Sequence, residues 1–129
     1  MILADTSAWI EFLRATGSPV HARMRELVGT DRLGVTDPVI LEVLVGARDD
    51  RDHARLRDLM AACQLVALEG PSDYEDAARL FRRCRRGGTT VRNLLDCLIA
   101  VVAMRNDVPV LHADADFDAI AEHAPLRIA

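Results

Sequence analysis

The sequence contains no lysine, so that all 16 of its basic residues are arginine, against 20 acidic residues. A phospho-signalling receiver is also a small α/β domain with clustered acids, but it needs a lysine beside them. Arginine is not a simple substitute for that lysine, and the absence argues against this class. The net charge of −4 at pH 7 likewise does not favour nucleic-acid binding by the molecule as a whole.

Long hydrophobic runs are also missing. The segment Ile2–Ala4 is too short for the apolar part of a signal peptide, and Asp5 interrupts it at once. The longest apolar run, Cys97–Met104, is far shorter than the roughly 20 residues that span a bilayer. We therefore expect a cytoplasmic protein that has no membrane partner.

Cysteine is scarce, and its pattern excludes two kinds of site. Cys63, Cys84 and Cys97 are odd in number and lack metal-ligand spacing, which favours reduced, packed thiols over disulfides or zinc. The chain has 129 residues, half of them hydrophobic, and no low-complexity segment. This length and composition predict one globular domain over residues 1–129, large enough to build a core without cross-links.

Carboxylates stand inside apolar sequence at four places, which is the most informative feature present. An ionised carboxylate buried alone costs several kcal/mol, so such groups are paired or bind a metal. Four of them along one chain predict a single acidic pocket that the fold assembles. The four are Asp5 after Ile2–Ala4, Glu42 within Val39–Val45, Asp96 within Leu94–Ala103, and Asp114 after Val108–Ala113, with Asp116 two residues further on.

Short β-like runs alternate with longer helical ones, which indicates an α/β fold with a parallel sheet covered on both faces. The predicted strands are Ile2–Ala4, Leu33–Val35, Gln64–Leu68 and Val108–Leu111, with Leu126–Ile128 as a possible edge strand. The predicted helices are Ala8–Ala15, Pro19–Val28, Pro38–Gly46, Asp49–Ala62, Ser72–Arg86, Asn93–Asn106 and Asp114–His123, with Thr6 or Ser7 capping the first. Sites in such sheets form at the carboxyl ends of the strands, where Asp5 and Asp114 lie.

Four blocks of sequence carry a resemblance to a known family. They are Ala4–Glu11, Thr36–Leu44, Arg92–Ala100 and Leu111–Phe117. In this order and spacing the chain resembles PIN-domain ribonucleases, and more closely the VapC toxins of bacterial toxin–antitoxin pairs. The resemblance covers essentially the whole chain. It implies a three-layer α/β/α sandwich around a parallel sheet of four to five short strands.

The resemblance also implies an activity and a set of site residues. By position, the catalytic acids are Asp5, Glu42, Asp96 and Asp114; these hold Mg²⁺ or Mn²⁺ with Asp116 as an auxiliary ligand, and Thr6 helps to arrange the site. The implied reaction is hydrolysis of RNA phosphodiester bonds by metal-activated water, which would inhibit translation or growth. The implied partners are RNA, a VapB-like antitoxin and a second copy of the chain. His112 departs from many relatives, and no role is assigned to it.

An arginine-rich segment, Arg82–Arg92, is the candidate for contact with RNA phosphates, through Arg85, Arg86 and Arg92. The same arginines could instead be a solvated helix end that complements its own dipole. The stripe Val39, Ile40, Val43 and Leu44 is a candidate dimer interface, although core packing accounts for it equally well.

Simpler interpretations of the acids stay open from sequence. Asp5, Thr6, Asp114 and Asp116 could act as helix caps or first-turn acids, and Glu42 could face solvent. Asp96 could be neutralised by Arg92, one helical turn earlier. For the whole protein, the alternatives are a PIN-fold housekeeping RNA-processing or DNA-directed nuclease, and a non-catalytic binding module.

Overall fold

A computed structural model describes residues 1–129, which form seven helices and four strands. The strands are β1 (Ile2–Ala4), β2 (Leu33–Val35), β3 (Gln64–Leu65) and β4 (Val110–Leu111). The helices are α1 (Thr6–Leu13), α2 (Pro19–Leu27), α3 (Asp37–Val45), α4 (Asp50–Ala61), α5 (Pro71–Arg86), α6 (Leu94–Arg105) and α7 (Ala115–Ala121). None of the seven helices combines the length and the hydropathy that a bilayer-spanning segment needs.

The four strands form one parallel sheet in the order β3-β2-β1-β4. Helices connect consecutive strands, as parallel pairing requires, and the result is the three-layer α/β/α sandwich expected from the sequence. Strand β1 lies in the interior of the sheet, where Leu3 pairs with Gly34 on one side and with Val110 on the other. Both Asp5 and the residues after β4 therefore reach the same edge of the sheet.

Strands β3 and β4 are shorter than predicted, and hydrogen bonding explains both differences. The Leu68 N–H donates to the Asp37 carboxylate at 2.9 Å, so β3 ends at Leu65 and does not extend to Leu68. The Val108 N–H donates to the Ala103 carbonyl oxygen at the end of α6. Strand β4 therefore begins at Val110, and the predicted edge strand near the C-terminus is reduced to one bridge between Val110 and Ile128.

The first helix also begins earlier than predicted. Asp5 is its N-cap and accepts a hydrogen bond from the Ser7 N–H, so that α1 starts at Thr6. The expectation that Thr6 or Ser7 caps this helix was wrong, because the Asp5 side chain satisfies the free N–H group of Ser7. The functional consequence is that Asp5 is fixed relative to both β1 and α1.

Helix α6 is the central helix of the core, with every residue from Cys97 to Ala103 buried. Cys84 and Cys97 are buried free thiols, and burial raises the pKa of Cys97 to about 12, so both cysteines are packed, unreactive side chains. On α3, Val39 and Val43 are buried in the same core. Core packing therefore accounts for these two valines, and they are not available as a dimer surface.

A buried ion pair fixes α6 against α5. Asp73 is 1% exposed and lies in the first turn of α5, where it accepts two hydrogen bonds from Arg105 at the end of α6, at 2.7 and 3.0 Å. These hydrogen bonds hold the pKa of the Asp73 carboxyl below its usual range. The pair ties the C-terminal end of α6 to the first turn of α5.

Candidate active site

Five acidic side chains come from four elements that meet at the carboxyl edge of the sheet. Asp5 follows β1 and Asp114 follows β4, and each is the N-cap of the next helix. Asp96 and Asp116 lie in the first turns of α6 and α7, and Glu42 lies in the middle of α3.

Asp96 is the centre of this cluster. Its side chain is 3% exposed, and burial raises its pKa to about 8, with further contributions from the negative charges of its acidic neighbours. The neighbours that act on it are Asp5, Asp114, Glu42 and Asp116. The structure thus brings the other four predicted acids close enough to act on Asp96. Arg92, proposed from sequence as a possible neutralising partner of Asp96, bonds to other acids instead, so that simpler interpretation is wrong.

Only one oxygen of the Asp5 carboxylate accepts hydrogen bonds. Its Oδ2 atom accepts from the Ser7 N–H at 2.9 Å and from the Ser7 hydroxyl at 2.7 Å. Burial raises the pKa of the Asp5 carboxyl, the Ser7 hydrogen bonds lower it, and the charge of Glu42 raises it. Asp5 is therefore a helix cap and a buried member of the acid cluster at once.

The free carboxylate oxygens fit a divalent cation. Asp5 Oδ1 and Asp96 Oδ2 are buried and accept no hydrogen bond from the protein. One carboxylate oxygen from each of Asp96, Asp114 and Asp116 lies within 4.8 Å of the other two, a spacing that lets three ligands share one ion. Unpaired buried carboxylates of like charge are costly, and a hard cation with a preference for oxygen ligands removes that cost.

Thr6 does not act as a cap; its hydroxyl bonds to an acid. Thr6 Oγ1 donates to Glu42 Oε1 at 2.8 Å, which joins α1 to α3. The other oxygen of that carboxylate, Glu42 Oε2, accepts from the Asn93 side-chain amide at 3.2 Å. Glu42 therefore faces the cluster and not bulk solvent, although its side chain remains partly accessible.

Three residues that support the acids were not identified from sequence. The Ser7 hydroxyl donates to Asp5 and accepts from the Ala113 N–H at 2.8 Å, which links the ends of β1 and β4. His112 Nδ1 accepts from the Asp114 N–H at 3.0 Å. Asn93 is the third. Each of the three stands close to an acid in sequence, but helix capping accounts for Ser7 and Asn93 equally well, and no role was assigned to His112.

Of the three predicted phosphate-binding arginines, only Arg92 lies at the cluster. Its guanidinium contacts Asp116 at 3.3 Å and Asp114 at 3.5 Å, and its side chain is 75% exposed. Arg85 and Arg86 lie at the end of α5, exposed and without a carboxylate partner, and the Arg85 guanidinium is 5.6 Å from the centre of the Phe81 ring. The three arginines therefore do not form one contiguous group with the acids.

The sequence and the fold resemble those of known proteins. The PIN domain family matches residues 2–123. Ribonuclease VapC11 of Mycobacterium tuberculosis is 41% identical over 131 residues, covering 100% of this chain and 98% of the relative. Among solved structures, VapBC2 from Rickettsia felis bound to a promoter DNA fragment superposes with a TM-score of 0.77 at 13% identity, covering 100% of this chain and 98% of that one. VapC20 of Mycobacterium tuberculosis, a toxin that cleaves the sarcin–ricin loop, superposes at 0.72 with 17% identity, covering 98% and 99%.

The fold and the acid cluster define a PIN-type domain, and these matches extend over nearly the whole chain. The chain belongs to the PIN-domain family, and its full-length similarity to VapC ribonucleases places it among relatives of that type.

Proposed function

We propose that this protein is a metal-dependent endoribonuclease and the toxin of a VapBC-type toxin–antitoxin pair. The observation that carries the proposal is the cluster of five acids around the buried Asp96, with two buried carboxylate oxygens that no protein donor satisfies. The similarity to proteins named as VapC ribonucleases indicates RNA as the polymer on which such a site would act.

Asp96, Asp114 and Asp116 are the residues that would hold Mg²⁺ or Mn²⁺, with Asp5 supplying its free Oδ1 atom. When bound, a divalent ion supplies an acidified water and stabilises charge on the reacting phosphate. Glu42 completes the set of catalytic acids and would be a further ligand of the ion. Either Mg²⁺ or Mn²⁺ suits these oxygen ligands.

The remaining side chains position these acids and the substrate. Ser7 donates two hydrogen bonds to one oxygen of Asp5, and the Thr6 hydroxyl donates one to Glu42. Arg92, at the rim of the cluster, is placed to contact a phosphate of RNA once its carboxylate partners bind a metal. Arg85 and Arg86 would contact the backbone farther from the cleaved bond, where each phosphate contact adds salt-sensitive affinity.

A groove beside Glu42 is the proposed seat of the antitoxin. Its volume is about 410 Å³, and α1, α3 and α4 line it with both apolar and charged side chains. Ile10, Leu13 and Leu56 offer an apolar floor, and Glu42 offers negative charge to a basic residue, while Asp52 is already paired with Arg48 and Arg55. Several solved structures with this fold are toxin–antitoxin complexes. A PIN-fold housekeeping nuclease is the alternative, and co-purification with a small antitoxin would distinguish the two.

A second copy of the chain is proposed to cover an exposed apolar surface. This dimer surface consists of Leu41, Val45, Tyr74 and Leu94, whose exposed fractions are 59%, 76%, 57% and 64%. Tyr74 and Leu94 line one apolar groove, and the Glu42–Asn93 hydrogen bond joins the residues next to Leu41 and Leu94. Soluble proteins rarely leave such a surface uncovered.

The dimer surface is tested by introducing a charge within it. Val45→Arg is expected to convert the dimer to a monomer, because an arginine in an apolar interface loses hydration without gaining a partner. Light scattering during gel filtration measures the mass. Leu65→Arg makes the same kind of change at an exposed apolar position on β3, outside the dimer surface, and should stay dimeric. A wild-type protein that is monomeric at high micromolar concentration would contradict the dimer.

The nuclease is tested by RNA cleavage. The purified chain, freed of partners, is expected to cut cellular RNA at discrete sites with Mg²⁺ or Mn²⁺ and not with EDTA. Asp5→Asn should reduce the rate by about a thousandfold, which corresponds to ~4 kcal/mol of transition-state stabilisation. Asp31→Asn makes the same change at an exposed position and should leave the rate unaltered. Cleavage in the presence of EDTA, or undiminished cleavage by the Asp5→Asn variant, would overturn the assignment.

A further inference from the structure

Asn93 makes two hydrogen bonds that determine how its side-chain amide is oriented. Its Oδ1 atom accepts from the Leu95 N–H at 3.1 Å, which caps the start of α6. Because a backbone N–H can only donate, the oxygen of the amide must face Leu95. The NH₂ group therefore points the other way and donates to Glu42 Oε2 at 3.2 Å.

Glu42 is thereby held from both sides. Its Oε1 atom accepts from Thr6 at 2.8 Å, and its Oε2 atom accepts from Asn93. A glutamate has three rotatable side-chain bonds, and one donor leaves the carboxylate free to turn about the atom that is bonded. Two donors from different helices leave a single orientation.

The same asparagine belongs to the helix that carries Asp96. Asn93 caps α6, and Asp96 lies in the first turn of that helix, three residues further on. The side chain of Asn93 consequently connects Glu42 on α3 to the start of the helix that presents the central acid. No other side chain hydrogen-bonds both Glu42 and the start of α6.

We propose that Asn93 is a positioning residue that sets the orientation of Glu42 relative to Asp96 and so tunes the affinity of the acid cluster for a divalent cation. This inference rests on the proposed metal-dependent function and adds a residue to it. Residues that orient metal ligands through hydrogen bonds typically change metal affinity by about 10- to 100-fold when they are replaced.

The decisive variant is Asn93→Ser, because it separates the two hydrogen bonds. Serine caps helices about as well as asparagine does, so α6 should keep its cap. The short hydroxyl cannot also donate to Glu42. Mn²⁺ affinity, measured by calorimetry, is expected to fall about tenfold, while the melting temperature of the metal-free protein stays at the wild-type value. Asn93→Ala, which loses both bonds, should lower both quantities.

A second background shows whether Asn93 acts through Glu42. In Glu42→Ala protein, Asn93→Ser is expected to have no further effect on Mn²⁺ affinity, because the carboxylate that it orients is gone. An equal loss of affinity in both backgrounds would overturn the proposal, as would wild-type affinity in Asn93→Ser alone.

Failure of the positioning role of Asn93 can be distinguished from failure of the proposed metal-dependent function. If Asn93→Ser binds Mn²⁺ normally while Asp5→Asn abolishes RNA cleavage, the positioning role is wrong and the nuclease stands. If wild-type protein binds no Mn²⁺ in calorimetry, the proposed metal-dependent function fails, and the role of Asn93 fails with it.

Discussion

Replacing Asp96 with asparagine is expected to stabilise the metal-free protein while it abolishes RNA cleavage. In the folded protein, burial and four acidic neighbours raise the pKa of Asp96 from 3.8 to about 8. Between these two pH values the folded state keeps a proton that the unfolded state has lost. The free energy of unfolding of the wild type therefore falls as pH rises through this window, by up to about 1.4 kcal/mol per pH unit from this group.

Asparagine removes this pH dependence, because it has the same shape and no charge to desolvate. In EDTA, the urea midpoint of the wild type should fall between pH 5 and pH 8, while Asp96→Asn should be more stable and should depend less on pH over that range. Added Mn²⁺ should stabilise the wild type and leave Asp96→Asn unchanged. Asp31→Asn is the control for loss of one negative charge on the surface. An Asp96→Asn protein that is less stable than wild type at pH 8 would show that the carboxylate is satisfied within the protein.

The loss of activity in the same variant has a separate cause. Asp96 has a buried oxygen without a protein donor, and it belongs to the three acids whose oxygens lie within 4.8 Å of one another. Removing a ligand from that set should reduce cleavage by about a thousandfold. A variant that gains stability and loses activity together is the expected signature of a functional acid, since a structural acid would lose both.

Affinity for Mn²⁺ is expected to rise about tenfold for each pH unit between pH 6 and pH 8. Asp96 is mostly protonated below its pKa of about 8, and it must release that proton before its carboxylate can bind a cation. Above that pH the affinity should level off, because the carboxylate is already ionised.

Calorimetry in two buffers of different ionisation enthalpy measures the same effect directly. Near pH 7 the difference between the two observed binding enthalpies should correspond to the release of about one proton for each Mn²⁺ bound. Burial also raises the pKa of Asp5 in the metal-free cluster, and the Ser7 hydrogen bonds partly offset that shift. Binding that is independent of pH from 6 to 8 and releases no proton would mean that Asp96 is ionised before the metal arrives.

Much of this site could be predicted from sequence because burial leaves a local signal. An acid inside an apolar run stands out, as Asp96 does within Leu94–Ala103, and the strand ends place Asp5 and Asp114 at one sheet edge. Strands β1 and β2 have the predicted bounds, since each is a buried run that ends at a helix cap. Strand β3 was predicted three residues too long because nothing local shows that the Leu68 N–H bonds to Asp37.

The supporting residues could not be assigned in the same way, because their roles depend on contacts between distant segments. Asn93 lies 51 positions from Glu42, and Ser7 lies 106 positions from Ala113. In sequence, each has an ordinary explanation as a helix cap, and Asn93 does cap α6. Helix phase decides the alternative that the sequence left open for α3: Val39 and Val43 turn toward the core, while Leu41 and Val45 are exposed.

The most direct test of the account follows Mn²⁺ binding and RNA cleavage in the same samples. Wild-type protein is titrated with Mn²⁺ at pH 8, bound metal is measured by electron paramagnetic resonance, and one discrete RNA product is quantified at each point. We expect binding and cleavage to share one midpoint, and both to be lost in Asp5→Asn while Asp31→Asn matches the wild type. Cleavage that saturates without bound Mn²⁺, or that persists in Asp5→Asn, would contradict a nuclease centred on these acids.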